Sequence, residues 1–256
     1  MERYQIILAY DGTDFLGFQR QGMKNRTVQL VVEDALRTLG WGGESILSAG
    51  RTDTGVHASG QVIAVDLAWR HSVQALAQAL NARLPQDVAV REVKAVSADF
   101  HPRFHAHRRT YQYQIVIDHF PHPLRDRYVW RLDSELDESL LHQAAKHLIG
   151  TYDCAAFGSP PKKGGSTMRT IYGAEWKRPT DNAYEFTITA NAYLYHMVRR
   201  VVFLQVNVAR QRLGWENFQQ GIDLRVALPG GLAPAKGLCL VNVDYESPRN
   251  ESIESQ

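Results

Sequence analysis

GQVIAVDLAWRHSVQALAQALNARLPQDVAVREVKAVS, residues 60–97, contains three elements whose order decides the fold. GQVIAVDLA is predicted to form a strand, and DVAVREVKAVS alternates apolar and polar residues as a strand does. Between them, residues 72–85 have the composition of a helix, with Ser72 as the N-cap and Pro85 after its end. The stretch therefore predicts a strand, a helix and a second strand in succession.

The residues before this stretch supply the other part of the pattern. RYQIILAY, residues 3–10, predicts a strand, and SILSAG, residues 45–50, a short one. TVQLVVEDALRTLG has the apolar period of a helix, with Thr27 as the N-cap and Gly40 at its end. The order is then β-α-β-β-α-β, which is the pattern of a ferredoxin-like unit.

The second part of the chain is similar in kind. Strands are predicted at residues 109–117, 168–178, 183–192 and 237–245, and helices at 137–150, 193–214 and 215–222. We expect an α+β fold of two ferredoxin-like halves that share an extended mixed or antiparallel sheet with a central cleft. The expected divisions are an N-terminal half, 1–104, a C-terminal half, 105–246, and a disordered tail, 247–256.

Composition excludes several classes of protein. The chain is 44% hydrophobic and 22% charged, which is ordinary for a soluble globular protein. The first apolar run ends at Asp11, too early for a membrane span. Two cysteines, Cys154 and Cys239, have no metal-type spacing and cannot form a disulfide framework. We expect a protein of the reducing cytoplasm, without a metal and without a membrane partner.

Charge is distributed unevenly along the chain. The formal net charge is only +2, but residues 101–131 hold six arginines and five histidines against two carboxylates. This basic stripe predicts either a surface for phosphates or an ordinary solvated face, and charge alone does not separate the two. The loop SPPKKGGST, residues 159–167, is a second basic segment, of the kind that becomes ordered on a ligand.

The loop AGRTDTGVHA, residues 49–58, permits three interpretations. The first is a simple turn, in which the glycines permit unusual backbone angles and Asp53 caps the turn. The second is half of an aspartic protease, although only one Asp-Thr-Gly is present and the preceding residues are polar. The third is a site in which Asp53 is a nucleophile, and it requires a cation beside the carboxylate.

The predicted helix 193–214 offers that cation. Its apolar face would carry Arg199 together with Tyr195, Val202 and Val206. An arginine in such surroundings is costly unless it is paired, so Arg199 is the candidate partner of Asp53. Extension of its guanidinium to the surface remains the alternative.

A nucleic-acid site also needs a ring on which a base can stack, and two tyrosines qualify. Tyr111 and Tyr113 lie on one face of the strand that follows the first part of the basic stripe. Ordinary packing in the core is the alternative for each of them.

Five segments in this order resemble the TruA family of tRNA pseudouridine synthases. They are YDGTDFLGFQRQ, AGRTDTGVHASGQV, FHPRFHAHRRTYQY, HMVRR and KGLCLVNVDY, and the resemblance extends over about residues 3–246. It implies an isomerase that converts uridine to pseudouridine in the anticodon stem-loop of tRNA, at tRNA positions 38–40. It also implies a homodimer that uses no cofactor.

The resemblance assigns roles to individual residues. Asp53 matches the nucleophile, and Tyr111 the tyrosine that stacks on the target uracil and is a candidate base for the C5 proton. Arg199 matches the arginine paired with the aspartate, Arg51 the residue that helps to hold the flipped nucleotide, and Leu240 a residue of the uracil pocket. A non-catalytic RNA-binding module on the same fold is the alternative.

Overall fold

The computed structural model describes residues 1–22, 25–160, 162, 164–224 and 226–245. Within them, the helices are α1 (Val28–Arg37), α2 (Val73–Asn81), α3 (Glu138–His147), α4 (Met197–Ala209) and α5 (Trp215–Ile222). The strands are β1 (Glu2–Tyr10), β2 (Leu47–Ser48), β3 (His57–Leu67), β4 (Val88–Val96), β5 (Arg108–Ile117), β6 (Trp130–Leu132), β7 (Gly150–Asp153), β8 (Met168–Thr180), β9 (Ala183–Ala190) and β10 (Leu238–Asp244).

All the strands belong to one sheet, in the order β4-β1-β3-β10-β5-β9-β8-β7. The short strand β2 pairs with β3, and β6 pairs with β5. Two of the pairings, β3–β10 and β5–β6, are parallel, and the others are antiparallel. The predicted α+β fold with a mixed sheet is therefore confirmed.

The same strand order occurs twice in this sheet. In the first half the order is β4-β1-β3-β2, and in the second half it is β10-β5-β9-β8. Each corresponds to the fourth, first, third and second strands of a β-α-β-β-α-β unit, which is the ferredoxin-like arrangement. The second half adds β6, β7 and α5 to that pattern.

Strand β10 joins the two halves. It pairs with β3 at His57 and Ala58 and with β5 along most of its length. Gly60 permits this approach, because a Cβ at that position would lie 2.2 Å from the Val241 carbonyl oxygen. Leu238 packs in the core of the second half and Leu240 in the core of the first, so β10 contributes to both cores.

Three helices begin with a side-chain cap. Thr27, Ser72 and Asp137 each accept a hydrogen bond from the backbone N–H three residues later, at α1, α2 and α3. The predicted N-caps Thr27 and Ser72 are confirmed. The predicted hairpin is also present, with Asp181 and Asn182 as the turn between β8 and β9.

Helix α4 is shorter than its apolar pattern predicts. It was expected over residues 193–214, but it extends only from Met197 to Ala209. His196 has a φ of 64° and Gln211 a φ of 55°, and these left-handed residues flank the helix. Tyr195 forms a β-bridge with Ser159, so its predicted place on the helix face beside Arg199 is wrong.

No helix in the described ranges is long and apolar enough to cross a membrane. The tail predicted to be disordered, 247–256, lies outside the described residues. A domain division between residues 104 and 105 remains a prediction.

Candidate active site

The motif loop between β2 and β3, residues 49–56, is held at its backbone. Phe18 donates its N–H to the Thr52 carbonyl at 3.0 Å, and Val56 donates to the Asp53 carbonyl at 3.1 Å. Gly55 has a φ of 77°, a backbone angle that favours glycine. These contacts place Asp53 in a tight, braced turn, so the loop fixes the position of its carboxylate.

The loop that follows β1 braces the motif loop from one side. Gly12 lies against it, because a Cβ on Gly12 would lie 2.0 Å from the Val56 carbonyl oxygen. The Gly12 N–H donates to His57 Nδ1 at 3.0 Å, and the Tyr10 hydroxyl lies 2.7 Å from the Thr52 hydroxyl. The first and second family segments therefore pack together as one structural unit.

Two side chains from the second half contact the Asp53 carboxylate. Arg199 Nη1 lies 3.3 Å and His196 Nε2 lies 3.5 Å from Asp53 Oδ2. Within the described part of the chain, Asp53 Oδ1 has no hydrogen-bond partner, and the side chain is 23% exposed. One carboxylate oxygen is thus held by a cation, while the other is available to a substrate.

Arg199 is fixed by more than the carboxylate. Its Nε donates to the Ala233 carbonyl at 2.8 Å, and the Ala233 N–H donates to the Arg199 carbonyl at 3.1 Å. The side chain is 16% exposed, so the guanidinium does not extend to the surface. The predicted contact between Asp53 and Arg199 is therefore present, and it joins the two halves of the molecule.

The two tyrosines of β5 have different surroundings. Tyr113 is fully buried, and its hydroxyl donates to the Pro234 carbonyl at 2.7 Å. Tyr111 is half-buried, and its ring meets that of Tyr193 edge-on, with 5.0 Å between the ring centroids. Burial, and then the negative charge of Asp53, raise the pKa of Tyr111 above the ordinary value of a tyrosine. Tyr113 belongs to the core, and Tyr111 is the tyrosine near Asp53.

Leu240 and Arg51 lie at opposite extremes of exposure. Leu240 is 1% exposed and pairs across β10 and β5 with Tyr111, and it belongs to the core cluster against which Tyr111 packs. Arg51 is exposed at the start of the motif loop, and its side chain makes no hydrogen bond or ion pair with the described residues. Their predicted roles toward the substrate remain predictions.

The basic stripe is in large part an internal network. Arg125 and Arg131 pair with Asp126, and Arg125 also pairs with Asp118. Arg109 donates to four backbone carbonyls, those of Ala49, Arg103, Ala106 and Asn191. These three arginines therefore make contacts within the protein, and a role of the stripe toward phosphate stays a prediction.

His196 is a site residue that the sequence did not single out. The signal was its position at the start of HMVRR, three residues before Arg199. In the expected helix, side chains three residues apart would lie on one face, so this spacing also indicates that both can approach the same carboxylate. The left-handed backbone at His196 cannot be derived from residue type, and in the structure the ring Nε2 lies 3.5 Å from Asp53 Oδ2.

The protease alternative does not fit this geometry. An aspartic protease pairs two carboxylates that share one proton, whereas the partners of Asp53 are an arginine and a histidine.

Across the residues that the structure describes, no group of three or more His, Cys, Asp or Glu side chains could hold a metal ion.

Known proteins resemble the chain over nearly its whole length. The family described as tRNA pseudouridine synthase matches residues 6–105 and 144–246. A tRNA pseudouridine synthase A from Chloroflexus aurantiacus is 40% identical, over 96% of this chain and 89% of that protein. The protein of the same name from Limosilactobacillus fermentum is 35% identical, over 98% of both chains. A third, from Streptococcus equi subsp. equi, is 36% identical over 96% of this chain and all of that protein.

The matched residues include both parts of the site. Asp53 lies in the first matched segment and Arg199 in the second, and the fold brings them to 3.3 Å. This chain belongs to the tRNA pseudouridine synthase family, whose members isomerise uridine to pseudouridine in tRNA.

Proposed function

We propose that this protein isomerises uridines at positions 38–40 of the tRNA anticodon stem-loop, with Asp53 as the nucleophile. The observation that carries the proposal is the Asp53 carboxylate, with Oδ2 beside Arg199 and Oδ1 without a partner among the described residues. A carboxylate reacts as a nucleophile only when it is ionised, and an adjacent fixed cation favours that state.

The reaction explains why these side chains occur together. Pseudouridine formation breaks the N-glycosidic bond, rotates the base and rejoins it to the ribose through C5. The uridine must first leave the base stack, which costs a few kcal/mol. Tyr111 offers a ring for the displaced base, Leu240 is its neighbour on the adjacent strand, and Arg51 is exposed on the motif loop. No step in this scheme requires a cofactor.

The basic loop 159–167 is the proposed contact for the tRNA backbone. Of its residues, Pro161 and Lys163 lie outside the described ones, and Lys162 is exposed. Contacts to phosphate position an RNA and carry no base readout. Arg103, which is exposed, and Arg108 are the arginines of the stripe whose side chains make neither an ion pair nor a hydrogen bond with a described residue, and they remain available for the same purpose.

The family resemblance also supports a homodimer, with one tRNA in contact with both subunits, and a cytoplasmic location. Both cysteines are free, as expected in a reducing compartment. Burial raises the pKa of the Cys154 thiol to about 11, so that cysteine is protonated and unreactive at neutral pH.

A non-catalytic RNA-binding module is the second candidate, and the site argues against it. Backbone binding needs positive charge and stacking rings, but not a braced carboxylate held by a buried arginine. The ion pair of Asp53 and Arg199 would repel phosphate less than a lone carboxylate would. Lysines alone would give the same affinity for the RNA backbone, so binding does not explain why the pair is present.

Release of tritium from tRNA that carries [5-³H]uridine tests the proposal, because rejoining the base through C5 expels that hydrogen. Three further tRNAs each carry cytidine in place of uridine at two of positions 38, 39 and 40, and a fourth carries cytidine at all three. We expect release only where a uridine remains at one of these positions. Binding without release would support the non-catalytic module, and release from other positions would overturn the assigned target.

A further inference from the structure

The backbone at His196 is unusual for its place in the fold. Among the described residues, three that are not glycine have a positive φ: His196, Gln211 and Leu224. Gln211 and Leu224 follow α4 and α5, where a left-handed residue is a regular helix ending. His196 instead precedes a helix, where the cap residue is normally extended, and it makes no side-chain capping bond.

Neighbouring residues hold this backbone in place. The Tyr195 N–H donates to the Ser159 carbonyl at 2.9 Å, and Gly158 lies so close that a Cβ there would be 2.3 Å from the Tyr195 carbonyl oxygen. On the other side, Arg200 donates its N–H to the His196 carbonyl at 3.0 Å. Such a conformation costs about 1–3 kcal/mol, and it persists where the surrounding structure enforces it, typically at functional sites.

The imidazole lies between an aromatic ring and the carboxylate. The ring of Tyr195 stacks on that of His196, with 3.6 Å between centroids and 28° between planes. His196 Nε2 lies 3.5 Å from Asp53 Oδ2, the oxygen that also meets Arg199. A contact at this distance becomes a hydrogen bond after a small movement, as often occurs when substrate binds.

We propose that His196 is a second positioning residue for Asp53. Arg199 and His196 together hold Oδ2, so that the carboxylate cannot rotate and Oδ1 remains the oxygen that bonds to the substrate. Arg199 supplies the positive charge that favours the ionised carboxylate, and His196 fixes the orientation of that carboxylate. This inference rests on the proposed role of Asp53 as the nucleophile.

The alternative is that His196 serves only the backbone turn, and three substitutions separate the two roles. His196→Gly removes the ring and is free of strain at a positive φ. His196→Gln keeps an amide N–H donor of similar reach, and Gln211 already has a left-handed backbone in this protein. Gln211→Gly is the matched control, because it removes a side chain at another left-handed position next to α4.

Tritium release at saturating and at limiting tRNA gives kcat and KM for each protein, and thermal melts report folding. We expect His196→Gly to lower kcat about 10- to 100-fold, with KM changed less than about twofold, because a misplaced nucleophile slows chemistry and not binding. His196→Gln should recover most of the lost kcat, and Gln211→Gly should match the wild type.

Either of two results would overturn the inference: a kcat for His196→Gly within twofold of the wild type, or a kcat for His196→Gln as low as that of His196→Gly. An inactive wild-type protein would instead overturn the proposed function on which the inference depends. The two failures are therefore distinguishable in one set of measurements.

Discussion

The connection between the second and third strands differs between the two ferredoxin-like halves. In the second half, β8 and β9 are long and are joined by the two-residue turn Asp181–Asn182. In the first half, β2 has only two residues, and the corresponding connection is the motif loop that carries Asp53. One position in the topology is thus a plain hairpin turn in one half and the candidate active site in the other.

The short strand explains the difference. Because β2 pairs with β3 only at Ile63 and Ala64, the same edge of β3 is open at His57 and Ala58, where β10 pairs instead. The motif loop therefore lies where the second half meets the first, within reach of α4. The turn at Asp181 has no such neighbour, because β8 covers the edge of β9 along nearly its full length.

The largest expected effect distinguishes the two aspartates of this comparison. Asp53→Asn removes a charge and little volume, so we expect pseudouridine formation to fall by about 10³-fold or more while tRNA binding persists. Asp181→Asn is the matched control at the equivalent connection, and it should keep wild-type activity. Tritium release and filter binding measure the two properties. Substantial turnover by Asp53→Asn would remove Asp53 from the mechanism.

The second prediction concerns the contact between Asp53 and Arg199, which has no equivalent at the turn between β8 and β9. Arg199→Met keeps the apolar stem and deletes the charge, and we expect it to cost about 1–3 kcal/mol of stability, since the pair is partly exposed. Activity at neutral pH should also fall strongly. Combined with Asp53→Asn, the loss of stability should be smaller than the sum of the two single effects.

Thermal melts of the four proteins measure this coupling. Arg200→Met is the control, because Arg200 donates to the carbonyls of residues 228, 229 and 231 and has no contact with Asp53. In the double variant, the loss of stability caused by Arg200→Met should add to the loss caused by Asp53→Asn. Additivity for Arg199→Met as well would mean that the loop and α4 are energetically independent.

The third prediction sharpens the comparison within β5. Tyr111→Phe should slow the reaction, by about 10²-fold if the hydroxyl acts as the base, with little change in stability, because that hydroxyl has no hydrogen bond to a described residue. Tyr113→Phe should leave the reaction rate nearly unchanged and should lower the stability of the fold. It removes the hydrogen bond to the half-buried Pro234 carbonyl, whose other donor is the Gly237 N–H at 3.4 Å, and this loss costs about 0.5–1.5 kcal/mol. Equal effects on both properties in the two variants would contradict this division.

The smallest effect concerns a second contact between the halves, at Asp11. The Tyr128 hydroxyl donates to Asp11 Oδ2 at 2.8 Å. Burial alone would raise the pKa of Asp11, but hydrogen bonds from Thr13 and Tyr128 and the charge of His57 lower it below its usual value. A carboxyl with a lowered pKa stabilises the fold above the unfolded pKa, near 3.9, and loses that contribution as the pH falls through the folded pKa.

We therefore expect Asp11→Asn to lower the Tm by about 2–4 °C at pH 7, as about 1 kcal/mol would, and by less at pH 3. Asp34→Asn is the control, since its exposed pair with Arg37 should contribute little at either pH. A deficit for Asp11→Asn that is as large at pH 3 as at pH 7 would exclude the charge of this carboxyl as its cause.

Sequence patterns predicted most of the elements because those elements are locally encoded. The caps Thr27 and Ser72, and the alternation of β4, depend on residues that are neighbours in the chain. The start of α4 was predicted too early, since Tyr195 is held by Ser159, a contact across the fold that outweighs the local preference for helix.

The candidate site was predictable only in part. The pairing of Asp53 with Arg199 followed from the cost of burying an unpaired arginine, and the structure has that contact. The donors of Arg109 could not be assigned, because carbonyl acceptors carry no signature in residue type. The sequence indicated positive charge at Arg109. Only the fold shows whether such an arginine bonds to backbone carbonyls within the protein or is free to contact phosphate.

The central place of β10 has a consequence for biosynthesis. This strand comes last among the described elements, yet it lies between β3 and β5, which are made much earlier. During translation, β3 and β5 are synthesised before β10, so the edges that pair with β10 are unpaired at that stage. Unpaired strand edges are prone to non-native strand pairing. The long sequence separation should make closure of the sheet a late and slow step. Nascent chains without β10 should consequently depend on chaperones and lack catalytic competence.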